Sequence, residues 1–170
     1  NFRPLNDNTD SCGNSTRRWT QVYAVSGAIN TSDAREKSEP VEIDDVALDA
    51  WGDVSIVAYR WLASINAKGE AARWHVGVIA QQVRDAFVAR ELDATRYGLL
   101  CYDAWEAAPE VLDEEGVVVE PARGAGDRWG IRADQCLFLE AAYQRRERAR
   151  DAAKLEALEL RVSALEQNNA

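Results

Sequence analysis

The chain has no methionine, one histidine and three cysteines among 170 residues. Cys12, Cys101 and Cys136 are an odd number at unrelated spacings, so neither a disulfide framework nor a zinc pattern follows. A reducing compartment is expected. No apolar run approaches eighteen residues and no secretory leader is visible, which excludes a membrane-spanning helix. Positive charge is in short supply, with 20 Lys and Arg against 29 Asp and Glu, for a net charge of −9. That balance argues against a chain whose main task is to grip nucleic acid or to hold an anionic membrane. There is no P-loop, dinucleotide fingerprint or metal-ligand cluster, so no cofactor and no metal are expected. A chain that starts at Asn1 and lacks methionine is expected to be a fragment of a longer precursor.

What is present suits one domain, or one domain with an appendage. The apolar fraction of 46% can supply a core, and six Trp and five Tyr mark packed cores or large interfaces.

The chemistry concentrates in Ile29-Asn30-Thr31-Ser32-Asp33-Ala34-Arg35-Glu36-Lys37. A serine hydroxyl is a poor nucleophile until a base takes its proton, and a lysine amine can do so if burial or a neighbouring cation favours its neutral form. Ser32 and Lys37 are therefore a candidate dyad, with the bond next to Ser32 at risk. The bland alternative is a solvated polar turn. Spacing constrains the dyad, because positions five apart share a face in neither a strand nor a helix. The chain must change direction between them. Asp33 and Glu36 have the spacing of a helix cap and its partner, and Pro40 stops any helix begun there. The expectation is a strand ending near Thr31, a sharp turn and a short helical segment carrying Lys37. Helix-start N–H groups would then lie near the Thr31 carbonyl, where an oxyanion would form.

Upstream, Trp19, Gln21, Tyr23 and Val25 alternate with Val22 and Ala24 as a strand does, and Gly27 marks a turn. Downstream, Asp44 or Asp45 caps a helix through Val46, Leu48 and Trp51 that ends at Gly52. Residues 55–61 and 73–79 read as two strands of a hairpin, with Asn66–Glu70 as its turn. A helix follows from Ala80 with Val83, Phe87 and Leu92 near helical spacing. Residues 97–102 read as a strand or buried turn, and Pro109–Leu112 as an extended piece. Glu114-Glu115-Gly116 turns it back into Val117–Val119, and Pro121–Asp127 reads as a loop.

From Asp134 onward there is no Gly and no Pro, and Ala, Leu, Glu and Arg abound, so one long helix is expected. Near its end Leu155, Leu158, Val162 and Leu165 step by three, four and three, two heptads of an apolar seam. In the same register Ala141, Gln144, Arg148 and Asp151 do not make a coiled-coil seam. Packing on its own domain is the alternative to self-association.

Several motifs now stand in order. Arg18-Trp19 and Val22-Tyr23-Ala24 precede the Ser32–Lys37 stretch; Tyr59-Arg60-Trp61 follows, then His75-Val76-Gly77-Val78-Ile79-Ala80-Gln81-Gln82-Val83, then Ala108-Pro109-Glu110-Val111 and the terminal helix. In this order the chain resembles the C-terminal intramolecular chaperone, auto-processing domain of phage tail fibres and tail spikes, the peptidase S74 family, as in endosialidases. The resemblance runs from about residue 17 to the end. It implies a domain that helps three chains register and fold, then cuts itself off on the N-terminal side of the motif serine. The cut bond would be Thr31–Ser32, with Ser32 as nucleophile and Lys37 as base. His75 falls in the second motif and would support the site, by orienting Ser32 or donating to the oxyanion, although a packed, hydrogen-bonded histidine is the plainer reading. Asp33 and Arg35 belong to the first motif, and a salt-bridged turn suits Arg35 better than catalysis.

Arg145, Arg146, Arg148 and Arg150 form a basic run on the terminal helix. They are expected to be a solvated face paired with Glu140, Glu147 and Asp151, with a polyanion or nucleotide site as the alternative. Trp51, Trp61, Trp74 and Trp105 are expected in the core or between subunits.

The expected fold is therefore α+β: a small mixed domain with short strands and helices, ending in a long helix that forms a trimeric coiled coil. Residues 1–31 would be the end of an upstream fibre segment, 32–133 the chaperone and auto-protease, and 134–170 the terminal helix. The expected partners are two further copies and the upstream fibre or spike segment of the same chain, with no nucleic acid and no membrane. The setting would be the host cytoplasm during phage assembly, with the upstream product in the virion tail. The rivals are a trimerisation module without cleavage and the related auto-processing domain of a transcription-factor precursor.

Overall fold

Asp44 opens the first helix as its sequence position suggests: its carboxylate accepts the Val46 N–H at 2.9 Å. In the computed structural model this helix, α1, runs Asp45–Gly52. The structure describes residues 5, 6, 9, 11–14, 16–19, 21–24 and 31–168. Contacts divide the chain into two compact units, residues 1–41 with 103–128 and residues 42–102 with 129–170.

The larger unit holds the core. Strand β1 (Val57–Tyr59) pairs antiparallel with β2 (His75–Gly77) in the register Val57 to Gly77 and Tyr59 to His75. The expected turn between them is instead helix α2 (Leu62–Lys68) followed by a 3-10 turn at Gly69–Ala71. The pairing of the two strands was readable, but their connection was not. Leu62, Ala63 and Ile65 favour a helix as readily as a strand end, and the Asn66–Glu70 polarity that suggested a turn belongs to the exposed end of that helix.

Helix α3 (Ala80–Val88) follows β2. Its two buried residues, Val83 and Phe87, are one helical turn apart. They meet Ala47, Leu48, Ala50 and Trp51 of α1 and Leu99 and Leu100 further on. Leu92 lies beyond the end of α3 but still packs on this cluster. The Phe87 ring meets Tyr97 edge-on at 5.3 Å. The long helix α4 (Ala133–Asn168) closes the core with Cys136 and Leu139. Among the described residues no polar side chain is buried.

Helices α1 and α4 approach closely. A Cβ on Gly52 would lie 2.8 Å from the Tyr143 ring, so any side chain there would have to push that ring aside. The Trp51 indole N–H donates to Glu140 at 2.7 Å. Arg146 donates to the Asp45 carbonyl at 2.9 Å and to the Asp49 carboxylate at 2.5 Å. Arg150 lies 3.0 Å from Glu147 and 3.7 Å from Asp49. Two of the four arginines in the basic run, Arg146 and Arg150, thus share the carboxylates of Asp45 and Asp49 on α1 and of Glu147 on their own helix.

Strand β3 (Leu100–Trp105) pairs with β6 (Gly126–Ile131), and the division between the units falls inside both strands. β6 takes Gly126 and Asp127 out of the expected loop and adds a strand that the sequence reading passed over. In the smaller unit, β4 (Val111–Leu112) pairs antiparallel with β5 (Val118–Glu120) through a turn at Asp113–Val117. Gly116 takes φ 80° there, a value open to glycine. Arg17 pairs with Glu120 at 2.6 Å, and Arg123 donates to Thr16 at 3.0 Å.

The expected strand over Trp19–Val25 is not present among the described residues: 21–24 have no regular structure, and Val22 and Tyr23 are exposed. Alternation marks a strand only where one face has a surface to lie on. Val25, Gly27, Ile29 and Asn30 lie outside the described residues, and Thr31 is in no strand. Trp51 is buried in the core, and Trp61 and Trp74 are exposed in the single chain, so of the two places expected for them only the one between subunits is left open.

Candidate active site

The Ser32–Lys37 segment lies in the smaller unit. Its shape follows from one carboxylate. Asp33 caps a 3-10 turn at Ala34–Glu36, accepting the Arg35 N–H at 2.9 Å. The turn closes through Glu36 N–H to the Asp33 carbonyl at 3.2 Å and Lys37 N–H to the Ala34 carbonyl at 3.2 Å. The expected capping partner, Glu36, contributes its backbone and not its side chain. Lys37 is the residue that ends the turn.

This reversal brings together two side chains five residues apart. Lys37 Nζ donates to Ser32 Oγ at 2.5 Å. An amine and a hydroxyl in that relation are the minimum for moving a proton off a serine. Both residues are exposed. Burial, one of the two conditions that would favour a neutral amine, is therefore not met at Lys37 among the described residues.

Arg35 does not reinforce the dyad. Its guanidinium holds the Asp33 carboxylate through Nε at 3.0 Å and Nη2 at 2.5 Å. The Arg35 side-chain hydrogen bonds, and then its N–H, hold the Asp33 carboxyl below the usual carboxylate range. Asp33 is thus a fixed negative cap on the turn between Ser32 and Lys37.

His75 belongs to the larger unit. It lies on β2, exposed, with its ring stacked on Tyr59 at 5.9 Å and edge-on to Trp61 at 6.2 Å. Arg60 lies over the Trp74 ring at 4.8 Å. The group forms because Tyr59 and His75 are partners across β1 and β2, with Arg60, Trp61 and Trp74 just beyond the paired ends.

Leu155, Leu158, Val162 and Leu165 are all exposed on the distal part of α4, so nothing among the described residues covers the apolar seam. No group of His, Cys, Asp or Glu among the described residues is arranged to hold a metal ion.

The family model described as chaperone of endosialidase matches residues 32–92, beginning at Ser32. The tail spike protein of Escherichia virus K5 is 40% identical over 148 residues, covering 84% of this chain and 22% of the relative. The chain thus spans about a fifth of that protein's length. A solved structure described as a novel intramolecular chaperone is 44% identical with a TM-score of 0.63, covering 70% of this chain and 99% of that one. The carboxy-terminal domain of the bacteriophage T5 L-shaped tail fibre, solved with its intramolecular chaperone domain, is 25% identical with a TM-score of 0.72. It covers 91% of this chain and 38% of its own. The chain belongs to the chaperone-of-endosialidase family and is an intramolecular chaperone domain of the kind carried by phage tail spikes and tail fibres.

Proposed function

We propose that this domain brings three copies of an upstream fibre or spike segment into register, and then releases itself by cutting the Thr31–Ser32 bond. The observation that carries the proposal is the Lys37 Nζ to Ser32 Oγ hydrogen bond. With the amine neutral, Lys37 takes the hydroxyl proton while Ser32 Oγ attacks the Thr31 carbonyl carbon. The C–N bond breaks as the new C–O bond forms, and the Ser32 nitrogen leaves as an amine, taking the proton that Lys37 has gained. Water then hydrolyses the ester, giving a Thr31 carboxylate and restoring the Ser32 hydroxyl. Each chain turns over once.

In this reading residues 1–31 leave with the upstream product, 32–133 carry the assembly and cutting functions, and 134–170 associate through Leu155, Leu158, Val162 and Leu165. Assembly takes place in the host cytoplasm, and the released product joins the virion tail. The exposure of Ser32 and Lys37 favours one rival, an assembly module in which the dyad is inert.

The test is to express the chain with its upstream segment as wild type, Ser32→Ala and Lys37→Arg. Wild type is expected to give two fragments on a denaturing gel, with a new N-terminus at Ser32. Both variants are expected to stay whole while keeping the wild-type mass of the assembly in solution. Arginine keeps the charge but cannot act as the base. Cutting of the Ser32→Ala chain at the same bond would remove the dyad, and an uncut wild type would leave the inert assembly module.

A further inference from the structure

Helix α4 has two faces with different duties. One carries Cys136, Leu139, Tyr143 and Arg146 onto the core and α1. Leu137 is about two and a half turns from Arg146, which places it on the opposite face, and it is 70% exposed. From Leu137 the steps of four and three run without a break through Arg148 and Asp151 to Leu155 and Leu165. The face left open by the core is therefore one heptad seam along almost the whole helix, apolar at both ends and charged in the middle.

The charges on it have a pattern. Arg146 and Arg150 are paired on the α1 side, but Arg148 makes no hydrogen bond or ion pair among the described residues. Among the described residues Asp151 meets Lys154 alone, at 3.1 Å on the exposed helix surface. In the register set by the leucines, Arg148 and Asp151 occupy consecutive seam layers. The positions that flank the seam are Lys154 and Arg161 on one side and Glu159 and Glu166 on the other. Parallel copies in register set Lys154 of one against Glu159 of the next, and Arg161 against Glu166. Antiparallel copies would set Lys154 and Arg161 against each other.

We infer that the open face of α4 receives further copies of this chain, parallel and in register, with Arg148 of each copy paired to Asp151 of its neighbour. The occupant is a second copy because the face complements itself, apolar against apolar at both ends and Arg148 against Asp151 between them. A charged layer in an apolar seam weakens it but penalises every shifted register, since a slip of one heptad would bury Arg148 or Asp151 against an aliphatic layer. For a chaperone that aligns chains, register is the property to protect. This inference rests on the self-association proposed above and adds the residues that fix its orientation and register.

The experiment uses the whole 170-residue chain. Arg148→Asp gives chains with two acidic layers, and Asp151→Arg gives chains with two basic ones. Sedimentation across a concentration series, at low and high salt, reads association; near-ultraviolet circular dichroism reads the core. Each variant alone is expected to dissociate at a concentration raised by about tenfold or more at low salt, the result of like charges meeting. An equimolar mixture of the two is expected to assemble better than either variant alone, since a mixed trimer keeps two of its three opposite-charge contacts, and the double exchange R148D/D151R is expected to assemble as wild type does. If the double exchange assembles but the mixture associates no better than either variant alone, the pair lies within one helix and the inference is overturned. Variants that each associate like an associating wild type would overturn it too, while leaving the assembly reading in place. A wild type that is monomeric throughout overturns the assembly reading itself.

Discussion

Two arginines in this chain each grip carboxylates, and they do so at different ranges. Arg35 reaches Asp33, two residues back, and its side chain stays 88% exposed. Arg146 reaches Asp45 and Asp49 from the other end of the chain, and its side chain is 13% exposed. The first contact shapes a turn and joins nothing distant. The second fastens α4 to α1 beside a shared apolar core. A local ion pair in water fixes geometry while adding little to stability, whereas a sheltered pair between elements holds tertiary structure. The segment carrying Ser32 and Lys37 and the core that carries α4 should therefore fail in different ways when damaged.

The largest loss of stability is expected from the core itself. Phe87 is fully buried between α1, Leu99 and the Tyr97 ring. Phe87→Ala should destabilise the larger unit by about 3–5 kcal/mol, the transfer and cavity cost of a buried ring. Urea unfolding followed by tryptophan fluorescence checks this through Trp51. A loss below about 1 kcal/mol would mean that the unit does not depend on this core.

A smaller effect separates the two arginines. Arg146→Met keeps much of the side-chain volume but leaves Asp49 without its partner, and a fall in Tm of about 2–4 °C is expected. Arg35→Met should leave Tm unchanged. The two should also differ in acid. The hydrogen bond from Arg146 is the chief influence holding the Asp49 carboxyl below the usual carboxylate range. A lowered carboxyl contributes stability that is full above its unfolded value and is lost as pH falls through the folded one. Wild type should therefore lose this increment on acidification to below the ordinary carboxylate range, and Arg146→Met should have less to lose. Equal Tm values and equal acid profiles for the two methionine variants would break the comparison.

What could be read in advance divides along the same line. The Asp33 cap, the Asp44 cap of α1, the Gly116 turn and the Gly-free run of α4 depend on residues close in sequence, and each was legible. The contacts of Arg146 were not. On a helix rich in alternating charges it looked like any member of the run from Arg145 to Arg150, and only the fold brings Asp45 and Asp49 to it. The Trp19–Val25 alternation shows the converse, a local pattern with no described strand, because a strand needs a partner that alternation cannot supply. For the candidate site, sequence could suggest that the chain must reverse between Ser32 and Lys37. It could not show that both would stand in solvent, since burial is a property of everything packed around them.

The last expectation concerns Asp33, where no change in stability is predicted and a change in cleavage is. Its carboxylate does two things, capping the turn through the Arg35 N–H and pairing with the Arg35 guanidinium. If the proposed chemistry is right, the cap matters because it sets the turn that brings Lys37 back to Ser32. Asp33→Asn keeps an oxygen that accepts the N–H but loses the ion pair. Asp33→Ala loses both. Cleavage is expected to stay near wild type in the Asn variant and to slow in the Ala variant by up to about a hundredfold, the scale of an ångström's misplacement of reacting groups. Thermal unfolding should not separate the two, because the segment is exposed and outside the larger core. Arg35→Met supplies the remaining arm: with the cap intact, it should cut as the Asn variant does. If both Asn and Met variants are as slow as Ala, the ion pair positions the turn instead of the cap. If all three cut at the wild-type rate, the reversal between Ser32 and Lys37 is held by something other than Asp33.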